Sequence, residues 1–502
     1  MTRSVARDAV ESQRNQVGRD LFMLARSWKR ACARALQLAC LLTLFVPAQA
    51  TAATTDPDER PHYLRPALEI GAGLAAASAW YVIDRRNVFD WDRPSARQRF
   101  NGDAWRFDNN SFPVNFIWHP LSGSGMYALA RGNRLGVWPA FAYAVAGSSV
   151  WEFAIEFNEK VSISDLIATP GAGLAIGEFA HKLALAISDD APLLGWTFGL
   201  SVKGHRAWDG LGPLHKKLWK DLSFVYGFGV EQPASGKPLG AHFLAFGGCL
   251  SSLPGYNTPG GFRGWYHDAE ISCLNLATDF GARGLGADLF AETRVAGYQH
   301  QNLSGPLRQP SGITAGAALG VAYLYRSTEA FGFDDRQGLV LFPGVTAEVG
   351  LRSGKLRASA ALRAYPSFGG MSAPSYSSWR AQHPTVRTKT VLQREGYSYG
   401  VGLNSQAEAR LGLGALELRG QLSCTYFSSI EGIDRSQELV QVDPHGIETA
   451  LDYALSAWVN RVVGERLALG GALDGRLRKS EMAGVERRLS GVRMLVKVGW
   501  QL

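Results

Sequence analysis

The sequence has few charged residues and no dense run of positive charge. Charged residues make up 19% of the 502 residues, below the roughly 25% of an ordinary soluble domain. The net charge of +8 is spread along the chain, which argues against a nucleic-acid-binding protein. Gly-x-Ser-x-Gly, His-Glu-x-x-His and phosphate-loop motifs are also missing, so the common hydrolase and nucleotide-binding classes are not indicated.

Cysteine is scarce as well. After the export-signal cleavage expected at Ala50, three cysteines remain, Cys249, Cys273 and Cys424. Their odd number and wide spacing indicate neither a disulfide framework nor a metal knuckle. The sequence therefore predicts them as small apolar filler.

What the chain does contain is glycine and aromatic residues, together with an export signal. It has 57 Gly, 14 Trp, 16 Tyr and 24 Phe, a composition that suits a membrane β-protein. Basic residues between Arg26 and Arg34, the apolar stretch 35–46 and Ala48-Gln49-Ala50 form a signal peptide. We expect residues 1–50 to be removed and 51–62 to be a flexible linker.

The C-terminal half, residues 221–502, alternates apolar and polar residues with period two. Leu416, Leu418 and Leu422 share one face of a strand, while Glu417, Arg419 and Gln421 share the other. The lengths of the segments suit membrane strands, which must close on themselves in a bilayer. About twelve such segments occur, at 221–231, 239–252, 264–278, 286–299, 312–326, 338–352, 355–366, 397–412, 415–428, 446–460, 466–478 and 486–502.

The sequence thus predicts a membrane all-β barrel of about 12 antiparallel strands. Its apolar, alternating last strand predicts contact with the barrel-assembly machinery, and its apolar face predicts contact with outer-membrane lipid. A soluble sandwich or lipocalin-like barrel of the opposite polarity is the alternative. The polar face has mixed charge, which favours salt bridges to a plug over a charge-selective pore. Its members are Glu348, Arg352, Arg357, Arg363, Glu408, Arg410, Glu417, Arg419, Asp452, Asp474, Arg476, Arg493 and Lys497.

Residues 63–200 form an α-helical region, joined to the barrel by a connector at 201–220. The stretches 65–84, 135–157 and 166–187 are rich in Ala and Gly and carry isolated ionisable residues. Carboxylates in such weakly apolar helices disfavour retention in the inner membrane. We expect the helices to pack on one another through small residues and to pack in or against the barrel, either in its lumen as a plug or at its mouth as a periplasmic cap.

The helical region also contains the densest set of candidate functional groups. Glu152 and Glu156 are four residues apart and share a helix face. Glu178-x-x-His181 places two metal-type ligands on another helix face, as in ferritin-like proteins. These four residues are the candidate metal ligands, and His119 and Asp165 join them as candidate catalytic residues.

Structural roles explain the same residues. Glu152 and Glu156 would pair with arginines such as Arg131, and Ser162-x-x-Asp165 matches a helix capping box. Gly171 and Gly173 would be helix-contact glycines. These interpretations favour a buried polar network, and no cofactor is predicted beyond a divalent metal as the alternative.

The run Phe116 to Glu178 resembles an uncharacterised family of Gram-negative outer-membrane proteins. The shared pattern begins with Asn115, His119-Pro120 and Arg131, and continues with Trp151-Glu152, Glu156, Ser162-x-x-Asp165 and Gly171 to Glu178. The resemblance implies an outer-membrane location and a barrel after the helices, and it implies no activity.

Two functional hypotheses follow. The first is a non-enzymatic envelope protein with a structural, transport or lipid-handling role, its helical part in the periplasm or lumen. The second is an envelope enzyme, a metal-assisted or acid–base hydrolase of lipid or glycan, that uses the Glu/His cluster.

Overall fold

The computed structural model describes residues 60–83, 93–187, 192–211, 218–233, 237–281, 284–305, 310–329, 333–383, 391–430, 446–460, 466–482 and 484–501. The expected signal peptide and most of the expected linker lie outside these residues, as does much of the connector.

Twelve antiparallel strand positions form a closed barrel. Each position pairs with the next along the chain, and the last strand of the chain pairs with the first barrel strand, so the sheet has no free edge. Two short strands, β1 (Trp105–Arg106) and β2 (Val161–Ser162), precede it. The barrel strands are β3 (Trp219–Pro233), β4 (Leu239–Ser251), β5 (Gly260–Tyr266), β6 (Ile271–Gly281), β7 (Gly284–Ser304), β8 (Ser311–Thr328), β9 (Asp335–Ser353), β10 (Leu356–Ser372), β11 (Tyr397–Leu413), β12 (Leu416–Ser429), β13 (Gly446–Asn460), β14 (Leu467–Met482) and β15 (Val485–Gln501).

The predicted twelve-strand barrel is confirmed, with one interruption. β5 and β6 both pair with β7 and together occupy a single strand position. The sequence predicts one continuous strand at 264–278 and does not reveal the break between β5 and β6, because the alternation of apolar and polar residues resumes directly after it.

The two ends of the barrel differ in the length of their connections. The tight turns at 353–356 and 413–416 lie at one end, called here the turn rim. The opposite end, the loop rim, has the long connections after β10 and β12.

The two faces of the barrel differ as a membrane barrel requires. Leu362, Leu403 and Val349 point outward and are exposed, as are apolar residues on most other strands. Their neighbours point inward and are charged, as Arg363 and Glu348 illustrate. This polarity excludes the soluble-barrel alternative, in which the apolar face would be buried inside.

Ion pairs cross the lumen. Arg326 of β8 lies 2.9 Å from Asp452 of β13, five strand positions away. Five spacings are about 24 Å around the wall, so this contact must pass through the interior. Arg363 of β10 similarly reaches Glu292 of β7 at 2.7 Å. The mixed inward charges therefore pair across the barrel with one another.

The helices form an antiparallel group that runs up and down between the rims. α1 (Leu64–Ile83), α3 (His119–Gly132), α4 (Val137–Val150) and α5 (Ile163–Ile187) are its main members. α2 (Ala96–Asn101) and α6 (Pro192–Trp208) join them, with π-helical turns at Val114–Trp118 and Trp151–Ile155. α7 (Pro374–Gln382) and α8 (Val391–Glu395) lie in the connection between β10 and β11.

This helical group packs against the outside of the barrel. Thr293 alternates with the lumen-facing Glu292, and its hydroxyl donates to the Ala175 carbonyl of α5 at 3.3 Å. The Asn115 amide donates to the hydroxyls of Tyr397 and Tyr399, which share the outward face of β11 with Leu403.

The expected lumen plug or periplasmic cap is not what the described residues form. The inward charges satisfy one another, so they need no plug, and the apolar helix faces match the apolar outer wall. The expectation of a plug was wrong for a physical reason. Mixed charges on the inner face require partners of opposite sign, but the sequence does not show whether the helices or other barrel strands supply them.

Small residues bring α3 and α5 together, as expected for helix-contact glycines. A Cβ at Gly173 would lie 2.8 Å from the Gly123 carbonyl oxygen, so both helices require glycine at this crossing. A Cβ at Gly171 would instead lie 2.7 Å from Val340 of the barrel wall. The Gly-rich start of α5 thus permits close contact on two sides.

The structure corrects the prediction for the cysteines. Cys249 and Cys273 form a disulfide, because the register of β4 and β6 places them directly opposite each other. They are 24 residues apart in sequence, and only the strand pairing brings them together. Cys424 is free. A disulfide is typical of an oxidising compartment such as the bacterial envelope.

We expect a chain that begins at Thr51 to take up one maleimide when it is denatured in SDS without reductant, and three after reduction. The single early label falls on Cys424, because the other two thiols are oxidised. Mass spectrometry counts the labels. The Cys424→Ser variant should take up none and then two, and three labels before reduction would contradict the disulfide.

Candidate functional site

A polar centre lies where the helices meet at the loop rim. β1 and β2 pair in parallel, Trp105 with Val161 and Arg106 with Ser162, and so bring the segments that follow them side by side. The backbone N–H of Asp108 then donates to the Ser164 hydroxyl at 3.2 Å. This pairing places a loop carboxylate beside the first turn of α5.

Asp108, His119 and Asp165 converge in this centre. One ligand-type atom from each lies within 4.8 Å of the other two. His119 begins α3, and its Nε2 is 3.7 Å from an Asp165 carboxylate oxygen. Asp108 and Asp165 are 6% and 2% exposed, and the His119 side chain is 16% exposed. The arrangement can hold a cation between the imidazole and the two carboxylates.

The capping box predicted at the start of α5 is formed only in part. The Ser162 hydroxyl accepts from the Asp165 backbone N–H at 3.1 Å, as a capping residue does. The return bond is made by a different residue, since the Ser162 N–H donates to Glu152 at 2.7 Å. Glu152 thus takes over the usual partner's role, and the Asp165 side chain is free to face His119.

Further carboxylates surround the centre. Arg99 is buried and donates to the backbone carbonyls of Glu152, Glu156 and Glu159, so it fixes this loop without neutralising its side chains. Burial raises the pKa of Glu156 well above its usual range, and nearby Glu159 adds to the shift. Burial likewise raises the pKa of Glu159 to about 7, although Tyr81 donates to it.

The predicted set of Glu152, Glu156, Glu178 and His181 does not assemble. Glu178 follows Asp165 by thirteen residues in the same helix, which is about 20 Å along the axis. It accepts from Arg131 at 2.9 Å and from Tyr127 at 2.7 Å, with Lys182 at 3.4 Å. Glu178 therefore belongs to a buried ion-pair network, while Glu152 and Glu156 lie at the loop rim.

Of the predicted candidates, the structure brings His119, Glu152, Glu156 and Asp165 to the loop rim and leaves Glu178 and His181 mid-helix. Asp108 was missed, because Phe107-Asp108-Asn109 carries no motif. The two-residue pairing of β1 with β2 positions it, and so short a ladder gives no periodic signal.

Comparisons with known proteins agree with the family resemblance. Residues 104–200 match the family described as a domain of unknown function, DUF3943, and the match contains the run from Phe116 to Glu178. The resemblance to an uncharacterised family is thereby confirmed. No curated protein matches the chain.

Among solved structures, the β domain of the Bordetella autotransporter BrkA is 9% identical, with a TM-score of 0.22, and the alignment covers 56% of this chain and 98% of that one. A bacterial polysaccharide outer-membrane secretin is 11% identical, with a TM-score of 0.21 and coverage of 58% and 99%. OprB of Pseudomonas putida is 9% identical, with a TM-score of 0.20 and coverage of 57% and 94%. Such low scores carry no argument, and the closed barrel rests on its own strand pairing.

We expect Glu178→Gln to destabilise the protein by about 3–5 kcal/mol, because it leaves Arg131 and Lys182 buried without their counter-ion. Urea unfolding in detergent, followed by tryptophan fluorescence, measures the change. Glu486→Gln, at an exposed pair with Arg488, is the matched control and should cost nothing measurable. Equal stability of the two variants would show that the Glu178 network is not structural.

Proposed function

We propose that this protein is an outer-membrane barrel with a closed lumen that carries a helical domain on its lipid-facing wall. In this proposal the domain binds or transfers a membrane lipid at its polar centre. The barrel serves as an anchor, and the chemistry of recognition belongs to the helices.

The observation that carries the proposal is the course of α5 along the outer wall. At the loop rim, Ile163 packs in a buried cluster with Tyr399 and Phe368. Nearer the turn rim, Lys182 donates to the Ser272 hydroxyl at 3.0 Å. The 25 residues of α5 measure about 37 Å, which exceeds the hydrocarbon thickness of about 30 Å. A helix that follows the wall between both rims must share the depth of the strands.

The outward surface of the helical domain suits lipid. Trp118, Leu121 and Trp138 are exposed large apolar residues on helices that cover the barrel. α1, Leu64–Ile83, is long and apolar enough to cross a membrane, and 11% of its apolar window is buried. This apolar surface lies next to the part of the apolar outer wall that the helices do not cover, and it favours contact with acyl chains over contact with water.

The ion pairs across the lumen argue against a diffusion pore. The proposed functional surface is therefore the outer wall of the barrel with the helices that pack on it. By the usual orientation of bacterial barrels, the long connections face outward, so the loop rim and its polar centre belong to the outer leaflet. The Cys249–Cys273 disulfide supports a location in the oxidising cell envelope.

A second candidate function is hydrolysis of a lipid or glycan. The pairing of His119 with Asp165, beside the second carboxylate of Asp108, favours it. A histidine beside a buried carboxylate is a pairing that general bases use. In the part of the chain that the structure describes, no hydroxyl or thiol is hydrogen-bonded to the His119 ring, so lipid binding is the main proposal.

We expect a nitroxide at Leu121→Cys, in a Cys424→Ser background, to be relaxed by lipid-soluble oxygen and shielded from a water-soluble nickel chelate. The reason is that Leu121 would face acyl chains. Leu403→Cys on the bare wall is the lipid control, and Arg488→Cys is the aqueous control. A Leu121 label that behaves like the Arg488 label would contradict the membrane placement of the helices.

We also expect the protein to show no stable conductance in planar bilayers, because charged side chains span the lumen. Arg326→Ala combined with Arg363→Ala removes two of the bridging side chains and should produce channel openings. Stable wild-type openings of porin size would contradict the closed lumen. The unfolding midpoint in urea confirms that the double variant is folded.

A further inference from the structure

We propose that Asp108, His119 and Asp165 bind one divalent transition-metal ion of the Zn²⁺ class. The site consists of two buried carboxylates and one imidazole at the loop-rim end of α5. It does not depend on whether the helical domain lies in lipid, because all three ligands come from within that domain.

The geometry is close to that of a metal centre. The three ligand atoms lie within 4.8 Å of one another, and they come from three separate segments. Tetrahedral zinc bonds of about 2.0–2.2 Å place ligand atoms roughly 3.4 Å apart, so binding requires these three atoms to approach one another by up to about 1.4 Å. The ligands sit on rigid supports, since Ser162 caps the turn that holds Asp165 and Ser164 accepts from the Asp108 backbone.

Buried oxygens at the centre have no partner. Oδ2 of Asp108 and Oδ1 of Asp165 accept no hydrogen bond, although both residues are more than nine-tenths buried. Among the described residues, His119 is the only basic group within 4.0 Å of Asp165, and none lies that close to Asp108. A buried carboxylate with one oxygen left unpaired is costly, although Asn109 donates its backbone N–H to the other oxygen of Asp108. A divalent cation would neutralise both charges.

The donor set indicates the class of metal. One imidazole nitrogen with carboxylate oxygens suits zinc and its first-row neighbours, whereas calcium and magnesium prefer oxygen ligands alone. Three protein ligands leave the fourth tetrahedral position open, as in catalytic zinc sites.

The experiment is a zinc titration of the full chain from Thr51, purified in detergent and stripped with a chelator. Calorimetry should give one Zn²⁺ per chain, and thermal melting should shift upward with Zn²⁺ because the ion binds the folded state. His119→Ala and Asp165→Asn should each weaken binding at least tenfold and abolish the shift. His383→Ala changes an exposed histidine immediately after α7; it is the matched control and should bind as the wild type does.

Circular dichroism shows whether each variant retains its strands and helices, and the conservative Asp108→Asn provides an independent ligand test. Failure of the wild type to bind Zn²⁺ would overturn the proposal. So would wild-type affinity in folded Asp165→Asn, or Ca²⁺ binding that is tighter than Zn²⁺ binding and insensitive to His119→Ala. None of these outcomes bears on lipid contact, which the nitroxide measurement tests separately.

Discussion

Arg326 and Asp452 meet inside the barrel from strands five positions apart, and contacts of this kind constrain the rest of the molecule. The wall of a membrane barrel has hydrocarbon outside, so its charged side chains must point inward and find their counter-ions there. Arg326, Arg363 and Arg493 find their counter-ions on strands three to five positions away, so the inward charges do not need a helical plug to pair with. The helical domain is left with the outer wall, where its apolar faces have matching partners.

A helical domain on the outside of a barrel must still satisfy its polar groups. The backbone causes no difficulty, because helices pair their own N–H and C=O groups. Side chains are satisfied in two ways. Glu178 is matched by Arg131 and Lys182 within the helices, while Asn115 bonds to hydroxyls that the barrel presents at Tyr397 and Tyr399. The docking surface is therefore specific as well as apolar.

The sequence was informative where the physics is local and periodic, and uninformative where it is not. The period of two along Leu416, Leu418 and Leu422 marks a strand whatever surrounds it, so the twelve strand positions could be predicted. Which helix end lies beside which loop depends on packing. For that reason Glu178 was grouped with Glu152, and Asp108 was overlooked. The same limit applies to Cys249 and Cys273, whose pairing follows from register alone.

The form of the polar centre depends on which carboxylate accepts the backbone N–H of Ser162 at the start of α5. In an ordinary capping box the third residue turns back to the capping residue, and here that would occupy Asp165. Glu152, reaching in from the π-helical turn after α4, accepts the Ser162 N–H instead. The Asp165 carboxylate is thereby turned toward His119 and Asp108, buried and incompletely paired. In a complete capping box the Asp165 carboxylate would accept the Ser162 N–H and would have a local hydrogen-bond partner. The arrangement instead leaves two aspartates and a histidine open to a ligand.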